Sequence, residues 1–200
     1  MYHTIQTIID KIDYDVIPEY RKTELQVLVD FIQQKKSANQ AINLNFICTH
    51  NSRRSQFSQV WAQVAADYYS VEINSFSGGV EVTACNERAI KSLERFGFKV
   101  ETSGSDNPIV SVDWDSSNKG LQLFSKLFDD DSNPSENFAA IMTCSHADEN
   151  CPFIPGAEIR IPIRYNDPKH FDDSPLEAAM YDCRSFEIAS EMMYIFSKIK

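Results

Sequence analysis

Short apolar runs alternate with amphipathic stretches along this chain, and that alternation limits its possible folds more than any other feature. Leu44-Asn45-Phe46-Ile47-Cys48 is apolar enough for a buried strand, and Gln56 to Tyr69 follows with Phe57, Val60, Trp61 and Val64 on one helical face. Val71 to Phe76 reads as a second strand, Ser77-Gly78-Gly79 as a turn, Asn86 to Phe96 as a helix and Phe98 to Val100 as a further extended piece. Phe138 to Cys144 and Glu158 to Ile163 read as two more strands. Pro175 to Lys200 reads as a closing amphipathic helix offering Phe186, Ile188, Met192, Ile195 and Ile199 to the core. Strands separated by helices pair in parallel, because each crossover must travel back along the sheet before the next strand begins.

Two segments stand outside this pattern. Ile5, Ile8, Ile9 and Ile12, then Leu25, Leu28, Val29 and Ile32, fall at helical spacing on either side of Pro18, which predicts an N-terminal helical extension over 1–42. The remainder, 43–200, is expected to form one catalytic domain. Within it the stretch from about 103 to 136 is rich in Ser, Asn and Asp, is broken by Pro108 and Pro134, and reads as an insertion.

The formal charge of -10 is spread along the chain with no basic stripe, so nucleic acid is excluded as a partner. An acidic protein that binds a small anion must build positive potential locally, from oriented amides and a few arginines. The start of the chain lacks the pattern of a secretory signal and no apolar run approaches membrane-spanning length, so a cytoplasmic location with no membrane partner is expected. In a reducing compartment five cysteines, an odd number, point to chemistry, metal binding or plain burial rather than to a disulfide framework.

The segment Cys48-Thr49-His50-Asn51-Ser52-Arg53-Arg54-Ser55 lies between the first buried strand and the helix after it. A loop in that setting aims successive backbone N–H groups at one point, where the positive end of the helix dipole also acts. Such a point favours an oxyanion, and it favours a thiolate over a thiol, which makes Cys48 a nucleophile. Arg54 offers a planar fork of donors to two oxygens of a tetrahedral anion. Ser55 can donate to the sulfur, and Asn51 can brace the loop. Taken singly, Cys48 could be a buried small side chain and Arg54 a solvated one; the strand–loop–helix context favours an anion site formed by Thr49, His50, Asn51, Ser52, Arg53, Arg54 and Ser55.

This Cys-x5-Arg-Ser loop resembles the signature of low-molecular-weight protein tyrosine phosphatases and of the arsenate reductases that share their fold. The resemblance extends from about Leu44 to the C-terminus, through Ser77-Gly78-Gly79-Val80-Glu81 and Asn86-Glu87-Arg88-Ala89-Ile90, and fails over the N-terminal helices and the insertion. It implies an α/β fold with a four-stranded parallel sheet flanked by helices. Met142-Thr143-Cys144-Ser145-His146-Ala147-Asp148-Glu149-Asn150-Cys151-Pro152 resembles the redox segment of thioredoxin-coupled arsenate reductases, a cysteine pair that ordinary phosphatases of the fold do not need. Asp167-Pro168 matches the pair that carries the general acid in both groups, although Asn-Asp-Pro is also a good turn sequence.

The resemblance therefore implies a reaction. Cys48 would attack arsenate, Arg54 and the loop amides would stabilise its oxygens, and Asp167 would protonate the leaving oxygen. Cys144 would then attack Cys48 to release arsenite, and Cys151 would attack Cys144 to pass the disulfide to a thioredoxin-like reductant. Two alternatives stay open: a phosphatase hydrolysing phosphomonoesters with Cys48, Arg54 and Asp167 alone, and a non-catalytic oxyanion-binding or thiol-redox sensor. No cofactor or metal is expected, since Cys144, His146 and Cys151 do not have a usual zinc spacing.

Several positions depart from the pattern. His50 stands where the family loop commonly has Gly, Arg53 where some reductases have a further Cys, and Gln59 where some carry a Glu that helps to hold a potassium ion. Lys169 follows Asp167-Pro168 where phosphatases tend to carry an aromatic, which weakens the phosphatase reading. Arg53 could add positive potential or simply be ion-paired, and Arg160 and Arg164 could widen the anion field or pair with acids. Cys85 could be activated beside a helix start or be buried, and Cys183 is most simply core or surface. His3 and His170 have no supporting partners.

Overall fold

The structure, a computed structural model, describes residues 1–117, 120–150 and 153–200. Its central sheet has the order β2-β1-β6-β7, with every neighbouring pair parallel, formed by β1 (Asn43–Cys48), β2 (Asn74–Gly79), β6 (Phe138–Met142) and β7 (Ala157–Pro162). The central strands β1 and β6 are buried almost throughout, as continuous apolar runs covered on both faces must be. Helix α3 (Arg54–Tyr68) packs on β1, β2 and the long C-terminal α6 (Glu177–Ser197), while α4 (Glu87–Arg95) packs on α6. Trp61 of α3 is fully buried, meets Phe96 and Phe98 edge to face, and donates its indole N–H to Ser185 Oγ of α6 at 2.9 Å. A large aromatic with a single polar edge is satisfied by that combination.

The N-terminal helices α1 (His3–Ile9) and α2 (Glu19–Ser37) share the main core, to which Ile5, Leu25, Leu28 and Ile32 contribute fully buried side chains. Polar ties fix α2 as well. Arg21 grips Glu191 of α6 through two N–H groups, at 2.7 and 2.9 Å, and Lys35 meets Glu158 of β7 at 2.5 Å.

Two strand expectations change. The extended piece after Phe98 does not join the parallel sheet; β3 (Lys99–Ser103) pairs antiparallel with β4 (Ile109–Asp113), which pairs antiparallel with β5 (Leu121–Leu123). The connections between these strands are too short for a helical crossover, so they fold back on one another. The 103–136 stretch supplies most of this second sheet. Ser77-Gly78-Gly79, expected as a turn, is the end of β2, and its glycines serve close approach: a Cβ on Gly78 would lie 2.3 Å from the Phe128 Cα. Phe186, expected in the core, is 37% exposed on α6.

Candidate active site

Cys48 ends β1 and Arg54 begins α3, so the Cys-x5-Arg loop spans the carboxyl edge of the sheet, where ligands of open α/β sheets bind. Asn51 takes a left-handed conformation, φ 45°, which asparagine tolerates better than most side chains. Its amide is fixed at both ends. Oδ1 accepts the main-chain N–H of Lys126 at 3.1 Å, and Nδ2 donates to Ser55 Oγ at 2.9 Å. Ser55 Oγ lies 3.1 Å from the buried Cys48 Sγ. Because the Ser55 oxygen already accepts from Asn51, its own hydrogen is available to the sulfur, an arrangement that stabilises a thiolate. Among the described residues no acceptor meets the main-chain N–H groups of His50, Asn51, Ser52 or Arg53, which leaves those donors for an oxyanion.

The Arg54 guanidinium donates to Asp167 Oδ2 at 2.6 Å and to the Tyr165 carbonyl at 3.2 Å, while its Nε has no partner among the described residues. Asp167 also caps the short 3-10 helix Pro168–Phe171, accepting from Lys169 N at 3.0 Å. The acid is thereby held beside the loop. Arg53 is committed to the protein: it donates to Tyr181 OH at 2.6 Å and to Asp172 at 3.3 Å, so the ion-paired alternative describes it. His50 Nδ1 lies 3.2 Å from Glu81, and Gln59 spends both amide ends on Ser75 and Ser77 of β2.

Cys144 follows β6 and is buried in a small apolar cluster with Cys48, Ile47, Met142 and Ala147. Its sulfur accepts from Ala147 N at 3.3 Å and lies 3.5 Å from the Thr49 hydroxyl, so it touches the loop residue next to Cys48. Cys151 falls outside the described residues. Burial pushes the Cys85 thiol up to about 12, which makes it a core side chain, and Cys183 is exposed. Arg160 and Arg164 both bind Asp148 of α5 (Ser145–Asn150) rather than the anion loop.

Three supports of the site were not expected from sequence, and all come from the polar 103–136 stretch. Ser125 Oγ donates to the His50 carbonyl at 2.8 Å and accepts from Thr83 N at 2.9 Å. Asn107 locks Ser125 in place through two main-chain hydrogen bonds. Lys126 N fixes Asn51, and burial lowers the Lys126 amine from its ordinary value. A Ser- and Asn-rich composition looks the same whether it is solvated or packed against a loop, so composition carried no signal for these roles.

No protein-family model matches the chain. Among curated proteins it is 28% identical over 123 residues to an arsenate reductase of Brevibacillus brevis, covering 62% of this chain and 74% of that protein. It is 32% identical over 111 residues to an arsenate reductase of Staphylococcus aureus, covering 55% of this chain and 66% of that protein. Its fold matches a low-molecular-weight phosphotyrosine phosphatase of Vibrio cholerae with TM-score 0.53 and 11% identity, over 78% of this chain and 95% of that one. It also matches an arsenate reductase in a phosphate-binding state with TM-score 0.50 and 18% identity, over 80% of this chain and 99% of that one. The chain thus has the low-molecular-weight phosphatase fold, is similar in sequence to arsenate reductases, and is an enzyme of that fold.

Proposed function

We propose that this enzyme reduces arsenate to arsenite through a cysteine adduct and an intramolecular thiol–disulfide relay. The observation that carries the reading is the seating of a second thiol against the nucleophile loop, with Cys144 Sγ 3.5 Å from the Thr49 hydroxyl. A hydrolase of this fold needs only Cys48, Arg54 and Asp167.

Cys48 attacks arsenic and a protonated oxygen leaves as water, its proton supplied by Asp167. The loop N–H groups and Arg54 hold the remaining oxygens. Cys144 thiolate then attacks Cys48 Sγ: the S–S bond forms, the S–As bond breaks, and its electron pair stays on arsenic as arsenite. Cys151 takes Cys144 into a second disulfide, which a thioredoxin-like reductant opens. The similarity to named arsenate reductases supports the substrate.

The test is arsenate-dependent NADPH oxidation with thioredoxin and thioredoxin reductase, in wild type, Cys144→Ser and Cys151→Ser, beside hydrolysis of an aryl phosphate. Loss of arsenate turnover in both variants, with aryl phosphate cleavage retained, supports the relay. Robust hydrolysis with no arsenate turnover favours the second reading, a phosphatase, whose specific support is the Arg54–Asp167 pairing at 2.6 Å.

A further inference from the structure

We propose that His146 is a positioning residue that takes the proton of Cys144 through the hydroxyl of Thr49, readying Cys144 for its attack on Cys48. The inference rests on the arsenate-reductase reading for its physiological meaning and on geometry for its existence. Thr49 Oγ1 lies 3.5 Å from Cys144 Sγ and 3.3 Å from His146 Nδ1, so one hydroxyl bridges a thiol and an imidazole that do not need to touch.

Cys144 has only 1% of its surface exposed. A buried thiol cannot easily hand its proton to water, yet only the thiolate attacks. A hydroxyl is both donor and acceptor, so Thr49 can accept the Cys144 hydrogen while passing its own to His146 Nδ1, provided the neutral ring carries its hydrogen on Nε2. No atom is gained or lost: S–H breaks, N–H forms, and Thr49 ends with its hydroxyl hydrogen facing the sulfur. The new thiolate is then met by Thr49 O–H and by Ala147 N–H, whose present distance to the sulfur is 3.3 Å. His146 is exposed, so its imidazolium loses the proton to solvent and is reset.

The backbone that carries the ring is also tied down. Asn150 Nδ2 donates to the His146 carbonyl at 2.8 Å, closing the short helix α5 under it. Other charged and titratable groups stand on the elements that carry the pair. On α5, Asp148 is occupied by Arg160 and Arg164, and Glu149 is exposed. On the anion loop, His50 lies beside Glu81 and Cys48 is bonded to Ser55. Among these, only His146 is linked to Cys144 by a hydroxyl.

The experiment compares full-length wild type with His146→Asn in two arms. The first needs no arsenate: exchange of Cys144 with a small aromatic disulfide, followed by mass spectrometry of the Cys144 peptide from pH 6 to 9.5. The relay predicts about tenfold to a hundredfold slower exchange in the variant at pH 7, less than direct base catalysis because a hydroxyl intervenes, with recovery near pH 9.5 where hydroxide does the work. Equal rates at pH 7, or a deficit that persists at pH 9.5, overturn the proposal; the persistent deficit would mean that the histidine only props the helix. The second arm follows Cys48–Cys144 disulfide formation after one addition of arsenate. A matching pH-dependent deficit there supports the role in reduction. If wild type forms no such disulfide, the arsenate-reductase reading fails and His146 loses its assigned step, while the first arm still decides whether the proton path exists.

Discussion

The Arg54 guanidinium donates to the Asp167 carboxylate at 2.6 Å, so the proposed anion-holding group and the proposed general acid are bonded to each other across the mouth of the loop. In the proposed reaction an oxyanion draws Arg54 away from this carboxylate, and Asp167 is then released toward the leaving oxygen. Coupling of this kind charges part of the binding energy to breaking the pair.

Asp167→Asn separates the two roles. Phosphate, as an inert analogue, is expected to bind several-fold more tightly, because a neutral amide holds Arg54 less firmly. Turnover is expected to fall by roughly a hundredfold, because the proton donor is gone. Isothermal titration beside steady-state kinetics reads both; weaker phosphate binding would show that Asp167 organises Arg54 instead of competing for it.

Asn51→Ala strikes the centre of the loop. The variant must hold alanine at φ 45° and leaves the buried Lys126 N–H without its acceptor. Those two costs suggest a loss of about 2–3 kcal/mol in urea unfolding. Ser55 also loses the donor that directs its hydrogen at Cys48, so alkylation of Cys48 by iodoacetamide at neutral pH should slow. Asn51→Gly removes the backbone strain but not the hydrogen-bond loss, so it should recover part of the stability and none of the reactivity.

The site was legible where chemistry and chain direction coincide. Cys48, Asn51, Arg54 and Ser55 lie within eight residues between a buried strand and a helix, and that order alone predicts how they converge. The parallel sheet was legible for a similar reason, since β6 is apolar throughout and β1 is apolar apart from Asn43 and Asn45. What sequence could not reveal depends on distance along the chain. Ser125 reaches His50 across 75 positions, and Arg21 reaches Glu191 across 170. Gly79 misled for a different reason: glycine marks both turns and close packing, and only the neighbouring backbone decides which.

Gly79→Ala tests that close packing. An added Cβ would lie 2.7 Å from Glu81 O, 2.8 Å from Asn51 N and 2.9 Å from Thr49 O, all main-chain atoms that cannot swing aside. The strand and the anion loop must part, at a cost of roughly 1–3 kcal/mol typical of overpacked cores. Because the displaced atoms belong to the loop, phosphate affinity should fall more than melting temperature implies. Unchanged phosphate affinity in a folded variant would show that the loop adjusts independently of β2.

Arg21→Met asks whether the N-terminal helices serve the site. Glu191 is 4% exposed and is held by Arg21 and by Tyr165 OH, whose carbonyl in turn accepts from Arg54. Removing one partner of a buried ion pair typically costs about 3–5 kcal/mol, because the remaining charge stays buried. Arg21→Met is therefore expected to melt well below wild type, and the double variant with Glu191→Gln should recover much of the loss. A lowered kcat in the single variant, assayed where it is still folded, would show that the disturbance passes through Tyr165 to Arg54.

The acid side of the stability profile should depend on Glu177. Its carboxylate accepts from Arg88 Nε at 2.6 Å and from Asp173 N at 2.7 Å, and the Arg88 bond above all lowers it from its ordinary value of 4.5. A carboxyl lowered in the folded state binds protons more readily when unfolded, so its contribution is complete above the ordinary value and is lost as pH falls through the folded one. Wild type should accordingly lose melting temperature between about pH 5 and pH 3, whereas Glu177→Gln should begin lower at neutral pH and decline less over the same interval. Glu177 is exposed enough for salt to screen it, so the difference between the two proteins at neutral pH should shrink as salt is raised. Parallel acid profiles would mean that Asp173, 2.6 Å from the Arg88 Nη2, and the neighbouring Asp172 hold Arg88 without Glu177, and that Glu177 adds nothing to the link between α4 and α6.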